Sequence, residues 1–139
     1  MKITKHNISE SISKYLKQNR INYLISDESD KGVLYELLIG YRSAFIQIEY
    51  ELSDDNDDDI ELHLFIDNEN DDMYYSDISN EEINSESLEN EIEQLIDATK
   101  ALNRAVAKIS SKIEQIRDIC DEYNLDIEMF ITLNYNFNE

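Results

Sequence analysis

Proline is absent from this 139-residue chain, and glycine occurs only at Gly32 and Gly40. Average usage would give about 7 prolines and about 10 glycines. Turns must therefore be built from Asn, Asp and Ser. Cysteine is scarce as well. A single Cys120 excludes an internal disulfide framework and suits a reducing compartment. No long apolar run occurs, and residues 1–20 mix polar with apolar side chains. That pattern predicts neither a secretory signal nor a membrane span, and hence a cytoplasmic protein. The largest gap concerns one sign of charge: from Glu51 to Thr99 there is no Lys or Arg.

What fills that gap is acid. The chain carries 32 Asp and Glu against 12 Lys and Arg, a formal charge of -20, and 19 of the carboxylates lie between Glu51 and Asp97. This stretch supplies -19 of the -20. Leu, Ile, Val and Phe still number 39, about 28% of the residues, above the roughly 20% below which a highly charged chain stays disordered. The charge thus belongs to a folded protein, expected as one domain over residues 1–139. A polyanion repels nucleic acid and anionic lipid, so direct binding to either is excluded and the partner is expected to present a basic protein surface.

Periodicity predicts an α+β fold. Asn7 with Glu10 resembles a capping box, and Ile8, Ile12, Tyr15 and Leu16 share one helical face, giving a short helix to about Arg20. Strand patterns follow at Ile21 to Ser26, Val33 to Ile39, Ala44 to Leu52 and Ile60 to Asp67. In the last two, Ala44, Ile46, Ile48, Ile60, Leu62, Leu64 and Ile66 are expected inside. Gln47, Glu49, Glu61, His63 and Phe65 are expected on a wet, acidic face. Ser79 with Glu82 forms a second capping-box pattern. From Leu88 to Cys120 apolar residues then recur at alternating spacings of four and three, with Thr99 the one polar member. An unbroken helix from Glu86 to Tyr123 would exceed a small domain, at roughly 57 Å. A break near Asn84 to Ser87 or Ala98 to Ala101, with packing on the sheet, is expected over an extended coiled coil. The seam could also pair two copies in a homodimer. Leu125, Ile127, Met129, Ile131, Leu133, Tyr135 and Phe137 alternate and predict a final strand after a left-handed cap at Asn124. The expected architecture is an antiparallel sheet of about five strands, one face covered by a short helix and a long one, continuous or broken. An acidic loop lies at 54–59 and an acidic connector, with the pair Tyr74 and Tyr75, at 68–77.

Catalytic chemistry finds little support. No Ser lies in a glycine-flanked elbow, and no glycine-rich loop is present to cradle phosphate. His6 and His63 are far apart in sequence, and a zinc site wants further N or S ligands, so no metal or other cofactor is expected. The Asp-rich loop mimics the first ligands of a calcium-binding EF-hand. It lacks the glycine at the sixth position and the glutamate at the twelfth. The protein is expected not to be an enzyme.

The acids are instead the candidate partner-binding groups: Asp54, Asp55, Asp57, Asp58 and Asp59 in the loop, Asp71 and Asp72 in the connector, and Glu82, Glu86, Glu89, Glu93 and Asp97 in the helix. The helical set recurs every three or four residues and lines one exposed stripe. Acids at a helix N-terminus complement its dipole, but that does not explain why they continue through the preceding loop and strand. In size, charge and the acidic stretch from Glu51 to Asp97 the chain resembles, as a class, the small acidic nucleic-acid-mimic inhibitors of phages and mobile elements, including anti-CRISPR and anti-restriction proteins. No sequence motif carries the resemblance. It implies a stoichiometric inhibitor that occupies the nucleic-acid channel of a bacterial defence enzyme in the host cytoplasm. The alternative is an acidic chaperone of the secretion type, or an immunity protein, bound to one cognate partner. Exposed apolar patches would favour it, and a carboxylate ridge would favour mimicry.

Overall fold

A computed structural model describes residues 3–50, 59–66, 75–79 and 83–134. Expectations that fall on Asp54, Asp55, Asp57, Asp58, Asp71, Asp72, Tyr74, Glu82, Tyr135 and Phe137 lie outside the described residues. The chain forms two compact units, Met1–Asn103 and Arg104–Glu139.

The first unit is α+β. Helix α1 spans Ile8–Gln18, and five strands follow: β1 (Tyr23–Ser29), β2 (Gly32–Leu37), β3 (Ala44–Tyr50), β4 (Ile60–Ile66) and β5 (Tyr75–Ser79). They form one antiparallel meander in which each strand pairs with its neighbour in sequence. Alternation decides which face is inside. Val33, Tyr35 and Leu37, Ala44, Ile46 and Ile48, and Ile60, Leu62, Leu64 and Ile66 are all buried, as the hydrophobic pattern required. Gly32 is needed where β2 passes β3, because a Cβ there would lie 2.0 Å from the Ile48 carbonyl oxygen.

The core face is covered by Ile8, Ile12 and Leu16 of α1 and by Leu88, Ile92, Leu95 and Ile96 of the long helix α2 (Ser85–Glu122). Tyr35 is fully buried, and its hydroxyl donates to the Ser9 carbonyl at 3.1 Å, which ties α1 to the middle of the sheet. Thr99 is also buried, yet its hydroxyl donates to the Leu95 carbonyl at 2.7 Å. A polar residue is tolerated in the seam because its own helix satisfies it.

Several expectations need correction. Asn7 does precede α1, but its side chain accepts from the Thr4 N–H at 2.7 Å and makes no cap bond into the helix. Ile25, on the alternating face with Ile21 and Tyr23, is exposed, because β1 is an edge strand whose register breaks between Ile25 and Asp27. Ser79 does not start the long helix; it ends β5, a strand whose first three residues, 75–77, fall in the expected connector. The start is Asn84, whose Oδ1 accepts from the Ser87 N–H at 2.9 Å while Ser87 Oγ accepts from the Asn84 N–H at 2.9 Å. That reciprocal pair is a capping box displaced five residues from the expected one. Helix α2 runs through Ala98–Ala101 without a break.

In the second unit α2 ends in a Schellman motif. Asn124 takes the left-handed conformation (φ 58°), the Leu125 N–H bonds the Cys120 carbonyl and the Asn124 N–H bonds that of Asp121. The expected last strand is instead helix α3 (Ile127–Asn134). Asp126 caps it by accepting from the Met129 N–H at 3.0 Å. Ile127, Phe130 and Ile131, spaced three and four, become its half-buried side, while Met129 and Leu133 are exposed. The fifth strand of the sheet is therefore residues 75–79. Cys120 is buried, as its seam position suggested. Among the described residues no helix is long and apolar enough to cross a membrane.

Candidate functional site

Of the twelve acids singled out in the sequence, Asp59, Glu86, Glu89, Glu93 and Asp97 are described. Four of them stand together. Glu86, Glu89, Glu93 and Asp97 are exposed on the first half of α2, roughly 16 Å from first to last at 1.5 Å per residue. The buried residues Leu88, Ile92, Leu95 and Thr99 occupy another side of the same helix, so core packing fixes which way the ridge faces. The ridge borders α1: Lys14 and Tyr15 line one shallow cleft with Leu88 and Glu89, and Tyr15 lines a second with Glu93, Asp97 and Lys100. Burial raises the Tyr15 phenol above its ordinary pKa of 10, and the charges of Glu93, Glu89 and Asp97 raise it further. Tyr15 thus senses the field of the ridge. Asp59 immediately precedes β4.

The outer face of the sheet holds a second constellation that residue spacing alone does not reveal. In the strand register His63 of β4 lies opposite Gln47 of β3 and Asp77 of β5, and Glu49 lies opposite Glu61 one pair further along the same face. The result is an imidazole among three carboxylates. His63 Nδ1 bonds Asp77 Oδ1, and Nε2 stands 3.4 Å from Glu49 Oε2 and 3.7 Å from Glu61 Oε2. Burial favours the neutral ring, but hydrogen bonds to Asp77 and Glu49, with the charges of both, outweigh it and hold the His63 pKa above 6.5. Beside this cluster Phe45 and Phe65 stack with centroids 5.3 Å apart. The outer face is thus acidic, with Glu49, Glu61 and Asp77 exposed on it, and it also carries an imidazole and an aromatic pair.

The second unit exposes apolar side chains instead. Ile109, Ile113 and Ile116 continue the α2 seam in the open, and Ile119, Tyr123, Leu125, Met129 and Leu133 are exposed with them. Single exposed apolar residues are ordinary, but eight of them fall within 25 residues of this unit.

Comparison with protein-family models, characterised proteins and solved structures finds no match.

Proposed function

We propose that the protein is a stoichiometric, non-catalytic inhibitor that presents a carboxylate surface to the nucleic-acid-binding channel of a bacterial defence enzyme in the host cytoplasm. The observation that carries this reading is the ridge of Glu86, Glu89, Glu93 and Asp97 on a helix clamped to the core by Leu88, Ile92 and Leu95. The backbone of a packed helix is already ordered, so the acids are presented at fixed spacing and only their side-chain rotamers remain to be ordered on binding. They belong to a stretch of 19 carboxylates without one Lys or Arg. Lys and Arg set to receive phosphate oxygens can receive carboxylate oxygens by the same charge-assisted hydrogen bonds.

A second reading rests on a different observation, the exposed apolar side chains from Ile109 to Leu133. They favour an acidic chaperone or immunity protein that docks one cognate partner through apolar contact, or a homodimer formed through the seam of α2.

Affinity capture from a bacterial lysate containing restriction and CRISPR effectors, followed by elution with excess duplex DNA, separates the readings. Mimicry predicts that a nucleic-acid-binding enzyme is retained and that DNA displaces it. Retention of a partner that DNA does not displace, but that substitutions at Ile113 and Ile116 release, supports the apolar reading in its place.

A further inference from the structure

We propose that Glu49, Glu61 and His63 form a binding site for a divalent transition-metal ion of the Zn2+ type, with Asp77 as the group that orients the histidine. The carboxylates of Glu49 and Glu61 and a ring nitrogen of His63 each offer one ligand atom, and these atoms all lie within 4.8 Å of one another. Ligands about 2.1 Å from a tetrahedral ion stand about 3.4 Å apart along each edge. The distances from His63 Nε2 to Glu49 and Glu61, 3.4 and 3.7 Å, are close to that edge.

The other ring nitrogen strengthens the assignment. A metal-ligating histidine ordinarily passes its second N–H to a carboxylate or carbonyl, which fixes the tautomer and ring orientation and raises the basicity of the ligating nitrogen. Here Nδ1 bonds Asp77 from the neighbouring strand, leaving Nε2 turned toward Glu49 and Glu61. All four groups sit on adjacent strands of one hydrogen-bonded sheet, so their separation is set by backbone register and not by a loop. Imidazole selects Zn2+ and its neighbours over Mg2+ and Ca2+, which prefer all-oxygen sites. Three protein ligands leave a fourth position for water or for a side chain of a bound protein. The site lies on the outer face of the sheet, opposite the face that α2 covers, and the inference does not depend on the inhibitor reading.

The test is a titration of the full chain with ZnCl2 at pH 7.5, followed by the 15N shifts of the His63 imidazole and by isothermal calorimetry. A variant with Asn at Asp54, Asp55, Asp57, Asp58 and Asp59 serves as background, to remove weak binding by the Asp-rich loop. One equivalent of Zn2+ should shift Nε2 of His63 to its metal-bound position with Nδ1 still protonated. His63→Gln should abolish the one-to-one isotherm, and Asp77→Asn should keep the stoichiometry while weakening affinity about 10- to 100-fold. If a stoichiometric amount of Zn2+ leaves the His63 resonances of the wild-type chain unmoved, the site does not exist. Equal binding by a folded His63→Gln chain would overturn the assignment as well, and Mg2+ matching Zn2+ would reduce the cluster to a nonselective acidic surface.

Discussion

Asn103, at the end of the core-packed part of α2, holds the loop between β2 and β3 through Arg42: its Oδ1 accepts from the Arg42 N–H at 2.8 Å. Its Nδ2 reaches back to the Arg42 carbonyl at 3.4 Å. Gly40 leaves room for that side chain, since a Cβ there would lie 2.8 Å from Asn103 Nδ2. Asn103→Ala strands a partly buried N–H and should cost about 1 to 2 kcal/mol. Urea denaturation measures it as a lower midpoint at unchanged slope. An unshifted midpoint would mean that the loop is held by other contacts.

The displaced start of α2 gives a second prediction. Asn84→Ala removes the acceptor for the Ser87 N–H and should destabilise the protein by about 1 kcal/mol. Ser79→Ala, at an exposed position in β5, should stay within about 0.5 kcal/mol of wild type. Equal losses for the two would return the helix start to Ser79.

His63 predicts a pH dependence in the metal-free protein. Its pKa in the folded state lies above 6.5, chiefly through Asp77 and Glu49 working against burial. A group whose pKa is raised on folding contributes stability that is fully present below its unfolded pKa and is lost as pH rises through its folded pKa. The loss therefore begins near pH 6.5 and continues upward until His63 is neutral in the folded chain. Asp77→Asn should lower the His63 pKa in an NMR titration and shrink this component of stability. A His63 pKa unchanged by Asp77→Asn would contradict the pairing.

Added salt should raise the melting temperature at neutral pH, because screening weakens repulsion among the 19 acids between Glu51 and Asp97 and leaves the apolar core in place. Scanning from low to moderate NaCl checks this. A melting temperature that falls with salt would indicate that ion pairs outweigh repulsion.

Burial asymmetry decided how much was legible in advance. In β3 and β4 a one-residue slip would expose Ile46, Ile48, Leu62 and Leu64, so period-two alternation fixes strand, face and register together. β5 is hard to read because, among its described side chains, Ile78 is the one buried apolar residue. α3 departs from the strand expectation because Ile127, Met129, Ile131 and Leu133 alternate like a strand, whereas Ile127, Phe130 and Ile131 also satisfy a helix. The cap at Asp126 favours the helix. The start of α2 was ambiguous because Ser79 with Glu82 and Asn84 with Ser87 both match a capping pattern. The ridge on α2 was readable from spacing within one helix. The cluster at His63 was not, since it requires three strands to be placed in register before Glu49, Glu61 and Asp77 meet.

The inhibitor reading is tested most directly by the association rate of the captured effector with wild-type protein and with the combined variant Glu86→Gln, Glu89→Gln, Glu93→Gln and Asp97→Asn, at two salt concentrations. Exposed ion pairs contribute about 0 to 1 kcal/mol each, so single substitutions should be nearly silent and the effect should appear on combination. Wild type should associate fast at low salt and markedly more slowly at high salt, and the fourfold variant should associate slowly at both, with its fold intact by circular dichroism. Equal association rates for the two proteins, with no salt dependence, would contradict a carboxylate surface as the binding site.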